Sequence, residues 1–296
     1  MYPYCIILLH YRSDRVEIRE QMSRPAVERM EPMKRKLLYS ILTAVLLLYG
    51  LSGTADAART IPVQVDGKKL ACISYIDSGV TYIPLRSLTD AFGGWSISWD
   101  AASKSAVAVR SGGSIQANPD ADRMTVNGKV YSGSVFIKNG LTYVPLRTVA
   151  SACGATVAWD PAFGGVAVTS PGASYNAVDL YWLSHIISAE SQSEPTTGQI
   201  AVGSVVLNRV KAAEFPGTVA GVVFDRVDGV QFEPISNGTI YAEPTAQAVA
   251  SAKSALDGAK PVGACKYFFN PALSQGTWIR TNRTYYTTIG SHQFYL

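Results

Sequence analysis

The chain has 296 residues, 47% of them apolar, and a formal net charge of +4. That length leaves room for two or three small domains, and the apolar content supplies their cores. A charge so close to balance excludes a strongly basic nucleic-acid binder.

The N-terminus reads as a leader. Met33-Lys34-Arg35-Lys36 precedes an almost uninterrupted apolar run from Leu37 to Tyr49, and Ala55-Asp56-Ala57 follows. A basic head, a short apolar segment and a small-x-small site together make a secretory signal peptide cleaved after Ala57. The run is shorter than the ~20 residues that span a bilayer comfortably. Residues 1–32 carry no recognisable motif, and Met30 or Met33 is an alternative start. Residues 1–57 are therefore expected to be leader and signal peptide.

An internal repeat follows. Val65-Asp66-Gly67-Lys68 recurs as Val126-Asn127-Gly128-Lys129, and Thr81-Tyr82-Ile83-Pro84-Leu85-Arg86 as Thr142-Tyr143-Val144-Pro145-Leu146-Arg147. Trp99-Asp100 recurs as Trp159-Asp160, and Val107-Ala108-Val109 as Val166-Ala167-Val168. Asp-Gly and Asn-Gly are tight-hairpin dipeptides, because both central positions need positive φ. Pro84 and Pro145 each open a short helix, where a missing N–H costs nothing. Gly93-Gly94 stops the first helix. This plan resembles the copper amine oxidase N-terminal-like domain, a stalk module of secreted wall proteins. The resemblance implies neither copper nor oxidase activity. It covers residues 58–170 and is followed by a Pro/Gly/Ser linker over 171–178.

Tyr82, Trp95, Trp99, Tyr143 and Trp159 are either sugar-stacking groups or the core of two small units. Small units need large side chains to bury enough surface, which favours the core. Arg86 and Arg147 are placed to pair with Asp100 and Asp160. Cys5 lies in the leader; Cys72, Cys153 and Cys265 form no CxxC pattern and read as free thiols. The sequence calls for no metal and no cofactor.

From Leu180 the chain turns helical. Leu183, Ile186, Ile187 and Glu190 fall on one helical face, which aligns a carboxylate with an apolar stripe. Burial raises a carboxyl pKa, and a carboxylic acid neutral at working pH is what a general acid must be. Gly198 to Val210 reads as a second, mostly buried helix. Phe215-Pro216-Gly217, Phe232-Glu233-Pro234, Asn237-Gly238, Tyr267-Phe268-Phe269-Asn270-Pro271, Trp278 and Ile289-Gly290-Ser291-His292 follow in order. The ordered set resembles the catalytic domain of SleB-type cell-wall hydrolases, over residues 179–296.

That resemblance implies a mixed α/β, lysozyme-like domain with its acid on a helix. The whole is then α+β: two small repeated α+β units followed by the catalytic domain, which should fold without the repeats. In that family the first Glu of an A-E-x-x-x-E-P stretch is the catalytic acid, which maps onto Glu190, with Glu194 as the second Glu. Many relatives have Ala-Arg-Gly after the acid; here it is Ser191-Gln192-Ser193, so substrate details transfer less directly.

The resemblance also implies lytic transglycosylation of peptidoglycan, in which one Glu is first acid and then base and no second carboxylate is needed. It places the protein at the cell wall or spore cortex. A hydrolytic route would need a partner carboxylate. Glu194, Asp225, Asp228, Glu233 and Glu243 are the candidates. Glu194, one helical turn beyond Glu190, is close enough to raise its pKa. Gln231 and Asn270 offer amides to sugar hydroxyls and N-acetyl groups, and Phe232, Tyr267 and Trp278 offer stacking faces. Phe268 reads as core, and His292 as an orienting or substrate-binding group. Peptidoglycan is the expected partner, with no nucleic acid and with any wall or membrane-associated partner protein unidentified. An N-acetylmuramoyl-L-alanine amidase and a non-catalytic wall-binding protein remain the competing readings.

Overall fold

The tight-turn dipeptides form as their composition dictates. Asp66 and Gly67 have φ of 49° and 78°, and Asn127 and Gly128 have 50° and 79°, the positive pair that a two-residue hairpin turn requires. The computed structural model describes residues 59–227 and 229–296. Residues 1–58, where the leader and signal peptide are expected, and Asp228 lie outside the described residues.

The first repeat comprises β1 (Arg59–Ile61), β2 (Val63–Val65), β3 (Lys68–Lys69), β4 (Ser74–Asp77), β5 (Val80–Pro84), α1 (Leu85–Phe92), β6 (Ser96–Asp100) and β7 (Ser105–Arg110). The second comprises β8 (Gly113–Asn118), β9 (Arg123–Val126), β10 (Lys129–Ser132), β11 (Phe136–Lys138), β12 (Leu141–Pro145), α2 (Leu146–Ala152), β13 (Thr156–Asp160) and β14 (Gly165–Thr169). Pro84 and Pro145 are the last residues of strands and cap the helices, rather than opening them.

The repeats interlock instead of standing in series. β5 and β12 pair antiparallel, with Tyr82 opposite Pro145, Ile83 opposite Val144 and Pro84 opposite Tyr143. Equivalent residues exchange partners, so a local two-fold relates the halves. β14 returns to pair in parallel with β2, and β7, β8 and β9 continue one sheet across the repeat boundary. Both halves therefore fill one core, in which Ile83, Leu88, Val144, Leu146 and Val149 are fully buried.

The aromatic and charged expectations fail at four positions. Trp99 and Trp159 are each 50% exposed, whereas Tyr143 is buried. Aliphatic side chains already close the core, and strand ends on the sheet edges leave the indoles outside it. Arg86 and Arg147 do not pair with Asp100 and Asp160. Asp100 accepts from Ala102 N and Ser103 Oγ within its own turn, and Arg147 Nη1 donates to Val157 O at 3.1 Å. Cys72, Cys153 and Cys265 are free thiols.

The remaining elements are α3 (Ala177–Ser191), α4 (Thr196–Lys211), α5 (Val219–Val223), α6 (Glu233–Asn237), α7 (Ala246–Leu256), β15 (Tyr267–Phe269), α8 (Thr277–Asn282), β16 (Tyr285–Ile289) and β17 (His292–Tyr295). The three strands form one antiparallel sheet with β17 in the middle. α3, α4 and α7 pack together. A Cβ on Gly203 would meet Ile187 Cδ1 at 2.8 Å and Ala255 Cβ at 3.2 Å, so glycine here eases the close approach of the three helices.

The repeats reach α3 directly. Ala177 N donates to Thr169 Oγ1 at 3.0 Å, and the Phe163 and Tyr181 rings meet edge to face at 5.1 Å. Trp182 Nε1 donates to Asp160 Oδ2 at 2.7 Å, inside the protein. The same Asp160 accepts from Ala162 N and Phe163 N through its other oxygen. Asp100 holds only its own turn; its equivalent Asp160 also holds α3. Asp160→Ala would leave a buried indole N–H without an acceptor, a loss of about 1–3 kcal/mol. A circular-dichroism melt should show a clear fall in Tm for Asp160→Ala, a smaller one for Asp160→Asn, and almost none for the exposed Asp100→Ala.

Candidate active site

α3 begins at Asn176, whose side-chain oxygen accepts from Val178 N and Asp179 N and so satisfies donors that the helix cannot. The helix is then buried on nearly every side. Leu180, Tyr181, Trp182, Leu183, Ile186 and Ile187 are all enclosed. Its buried polar side chains turn back onto its own carbonyls: Ser184 to Leu180, Ser191 to Ile187, and His185 Nδ1 against Tyr181 O. Burial of Glu190 is thus a property of the whole helix and not of one stripe.

Glu190 sits in the last turn of α3, half-buried, on the wall of a cleft of about 590 Å³. Burial pushes its carboxyl up to about 7, and repulsion from Glu233 adds to the shift. Glu233 is exposed at the start of α6 and lines the same cleft. Near neutrality Glu190 can therefore both hold and release its proton, as a group that is first acid and then base must.

Glu194 does not act as the sequence suggests. α3 ends at Ser191, and Pro195 lies between the two helices; a residue before proline is forced out of helical geometry. The Glu194 carboxylate turns toward the C-terminal hairpin instead. It accepts from Ser291 N at 3.0 Å and from Ser291 Oγ. Gly290, at φ 58°, leaves the room that this contact needs. Glu194 therefore ties the α3–α4 turn to the β16–β17 hairpin, and the carboxylate that acts on Glu190 is Glu233.

The cleft gathers most of the predicted residues. Gln231, Phe232, Asn270 and His292 line it with Glu190 and Glu194. Phe268 lines it too, half-buried rather than sealed in the core. His292 Nδ1 lies 3.7 Å from Glu194 Oε1, beyond hydrogen-bond length, and the ring stands edge-on to Phe268. Burial lowers the His292 pKa, opposed by Glu194. Asn270 Oδ1 accepts from Ala272 N and shapes its own turn. Trp278 stands outside the lining, 56% exposed, against Tyr267 and under Arg283. Asp225 and Glu243 do not line the cleft.

Arg209 escaped the sequence reading. It is buried in the last turn of α4 and lines the cleft. Its Nε donates to Lys266 O at 2.7 Å, its Nη1 reaches Gln231 Oε1 at 3.4 Å, and it lies over Phe215, Phe232 and Tyr267. The guanidinium thus fixes Gln231 and Phe232 as a wall. The signal was in the pattern: Val202, Val205, Val206 and Arg209 share one helical face, which aligns a cation with an apolar stripe.

Comparison with known proteins finds two family matches along the chain. Residues 193–295 match the Cell Wall Hydrolase family, and residues 64–168 match the Copper amine oxidase N-terminal domain. The first match begins beyond Glu190, so the geometry carries the case for that residue. The chain is 38% identical over 120 residues to the spore cortex-lytic enzyme of Bacillus cereus, an overlap of 40% of this chain and 45% of that protein. It is 34% identical over 129 residues to that of Bacillus subtilis, covering 44% and 41% respectively. The chain spans about half the length of the curated relatives it matches. The solved catalytic domain of the germination-specific lytic transglycosylase SleB from Bacillus anthracis is 36% identical. That match covers 42% of this chain and 98% of that one, at a TM-score of 0.38. The C-terminal part of the chain thus belongs to the cell wall hydrolase family and is joined here to a copper amine oxidase N-terminal domain.

Proposed function

We propose that the protein is a secreted lytic transglycosylase that cleaves the glycan strands of peptidoglycan, spore cortex included, with Glu190 as its single acid and base. One observation carries the reading: a carboxyl pushed up to about 7 on the wall of a cleft of about 590 Å³. The identities to spore cortex-lytic enzymes support the choice of substrate. The basic, apolar and small-x-small pattern of the leader supports secretion.

The steps follow from one proton. Glu190 gives its proton to the glycosidic oxygen as the bond to the muramyl C1 breaks, and the electron pair leaves with that oxygen. The C6 hydroxyl of the same sugar then attacks C1, and its proton passes to the Glu190 carboxylate. The product is a 1,6-anhydro end, no water is consumed, and the acid is restored. Glu233 disfavours the ionised form before the first step. Gln231, held by Arg209, and Asn270 present amides to the sugar, while Phe232 and Phe268 supply an apolar floor.

The position of Glu233 favours one second reading. An exposed carboxylate on the same cleft could activate water and make the enzyme a hydrolase. The products separate the two, since hydrolysis leaves reducing ends and transglycosylation leaves anhydro ends.

Glu190→Gln should lower release of anhydro-muropeptides from purified peptidoglycan by about 10²–10⁴-fold, in a protein that still melts cooperatively. Near-normal release by that folded variant would overturn the assignment.

The same substitution has a pH signature. The folded carboxyl titrates at about 7 against an ordinary 4.5, so the unfolded chain ionises first. Stability from this group is intact at low pH and falls as the pH rises from the ordinary value through the folded one. Glu190→Gln should therefore match wild type in stability near pH 4 and exceed it near pH 8, by roughly 1–3 kcal/mol. Parallel melts across that range test the sign.

A further inference from the structure

Two failed expectations in the repeats point to one surface. Trp99 and Trp159 occupy equivalent places on β6 and β13, and each is 50% exposed. Both strands lie at the edges of their sheets. A lone exposed hydrophobic residue needs no explanation. The same indole left bare at the same place in both repeats, beside a core that closes without it, does.

Each repeat also carries an exposed arginine at an equivalent position. Arg86 and Arg147 are exposed in the first turns of α1 and α2. Among the described residues neither pairs with a carboxylate. Their expected partners are occupied: Asp100 by Ala102 and Ser103, and Asp160 by Trp182, Ala162 and Phe163. Arg86 and Trp99 line one shallow hollow of about 120 Å³ with Ser98, Leu141 and Thr142. Arg147 lies along β13, bonded to Val157 O two residues before Trp159.

We propose that each repeat carries a binding platform for a carboxylate-bearing sugar, the muramyl unit of a glycan strand. The indole stacks on the sugar ring, and the guanidinium pairs with the lactyl or stem-peptide carboxylate. Charge complementarity selects this occupant over a neutral polysaccharide, since an arginine without a carboxylate partner shares the hollow of Trp99 and its equivalent is bonded to the strand that carries Trp159. Two platforms on one chain multiply retention on an insoluble polymer. The one at Trp159 adjoins Asp160, the residue bonded to Trp182 of α3, so a strand held there is held in fixed geometry to the catalytic helix. The proposal takes the identity of the polymer from the glycan reading of the cleft, but its test requires no turnover.

The full chain carrying Glu190→Gln is sedimented with intact peptidoglycan sacculi and, separately, with chitin, which lacks carboxylates. Adding Trp99→Ala and Trp159→Ala together should weaken sacculus binding by at least about tenfold, and each alone by less. Trp99→Tyr with Trp159→Tyr, which keeps an aromatic face, should restore most of it. Arg86→Gln with Arg147→Gln should weaken sacculus binding and leave chitin binding unchanged. Undiminished binding by the double alanine variant, at an unchanged Tm, would overturn the proposal. So would light scattering that shows a dimer of the parent lost in that variant, because the edge strands would then be a self-association surface.

Discussion

A carboxyl group stays neutral near neutrality when burial and nearby negative charge disfavour its ionised form, and here a whole helix supplies the burial. α3 is enclosed from Leu180 to Ser188 and reaches the cleft only in its last turn. Three contacts hold it along its length. Asp160 fixes Trp182 from the repeats, Gly203 lets α4 close on Ile187, and Ser188 Oγ accepts from Thr245 N at the start of α7. Loosening any of these would admit water along the helix and return Glu190 toward an ordinary carboxylate. The acid is therefore made by packing, and the cleft only exposes its tip.

The cleft divides its charges by role. Glu194 is committed to Ser291 and holds the hairpin that presents His292. Arg209 is committed to Lys266 O and to the aromatic wall. That leaves Glu233 as the carboxylate whose charge bears on Glu190. A sugar entering between them would exclude water further, and both burial and repulsion on Glu190 would strengthen in the lower dielectric.

Much of this was legible where a local rule decides. The Asp-Gly and Asn-Gly turns, the short helices after Pro84 and Pro145, and the buried helix with Glu190 near its end all follow from neighbouring residues. What could not be read depends on distant pairing. Nothing near Ile83 says that it faces Val144, so two interlocked repeats looked like two beads. Trp99 and Trp159 were misjudged because recurrence at equivalent positions marks a shared surface as readily as a shared core. Glu194 is different, because its signal was present: Pro195 forbids the helical turn that would have aligned it with Glu190. The double use of Asp160 was invisible, since its equivalent Asp100 serves only its own turn.

The central claim is that packing and Glu233 together hold the Glu190 proton, and it can be measured without substrate. A side-chain carboxyl NMR titration of selectively labelled protein, with Glu190→Gln to assign the signal, reads that proton directly. The Glu190 resonance should titrate at about 7 and shift downward in Glu233→Gln as the repulsion is removed. A midpoint near the ordinary 4.5, unmoved by Glu233→Gln, would contradict the account.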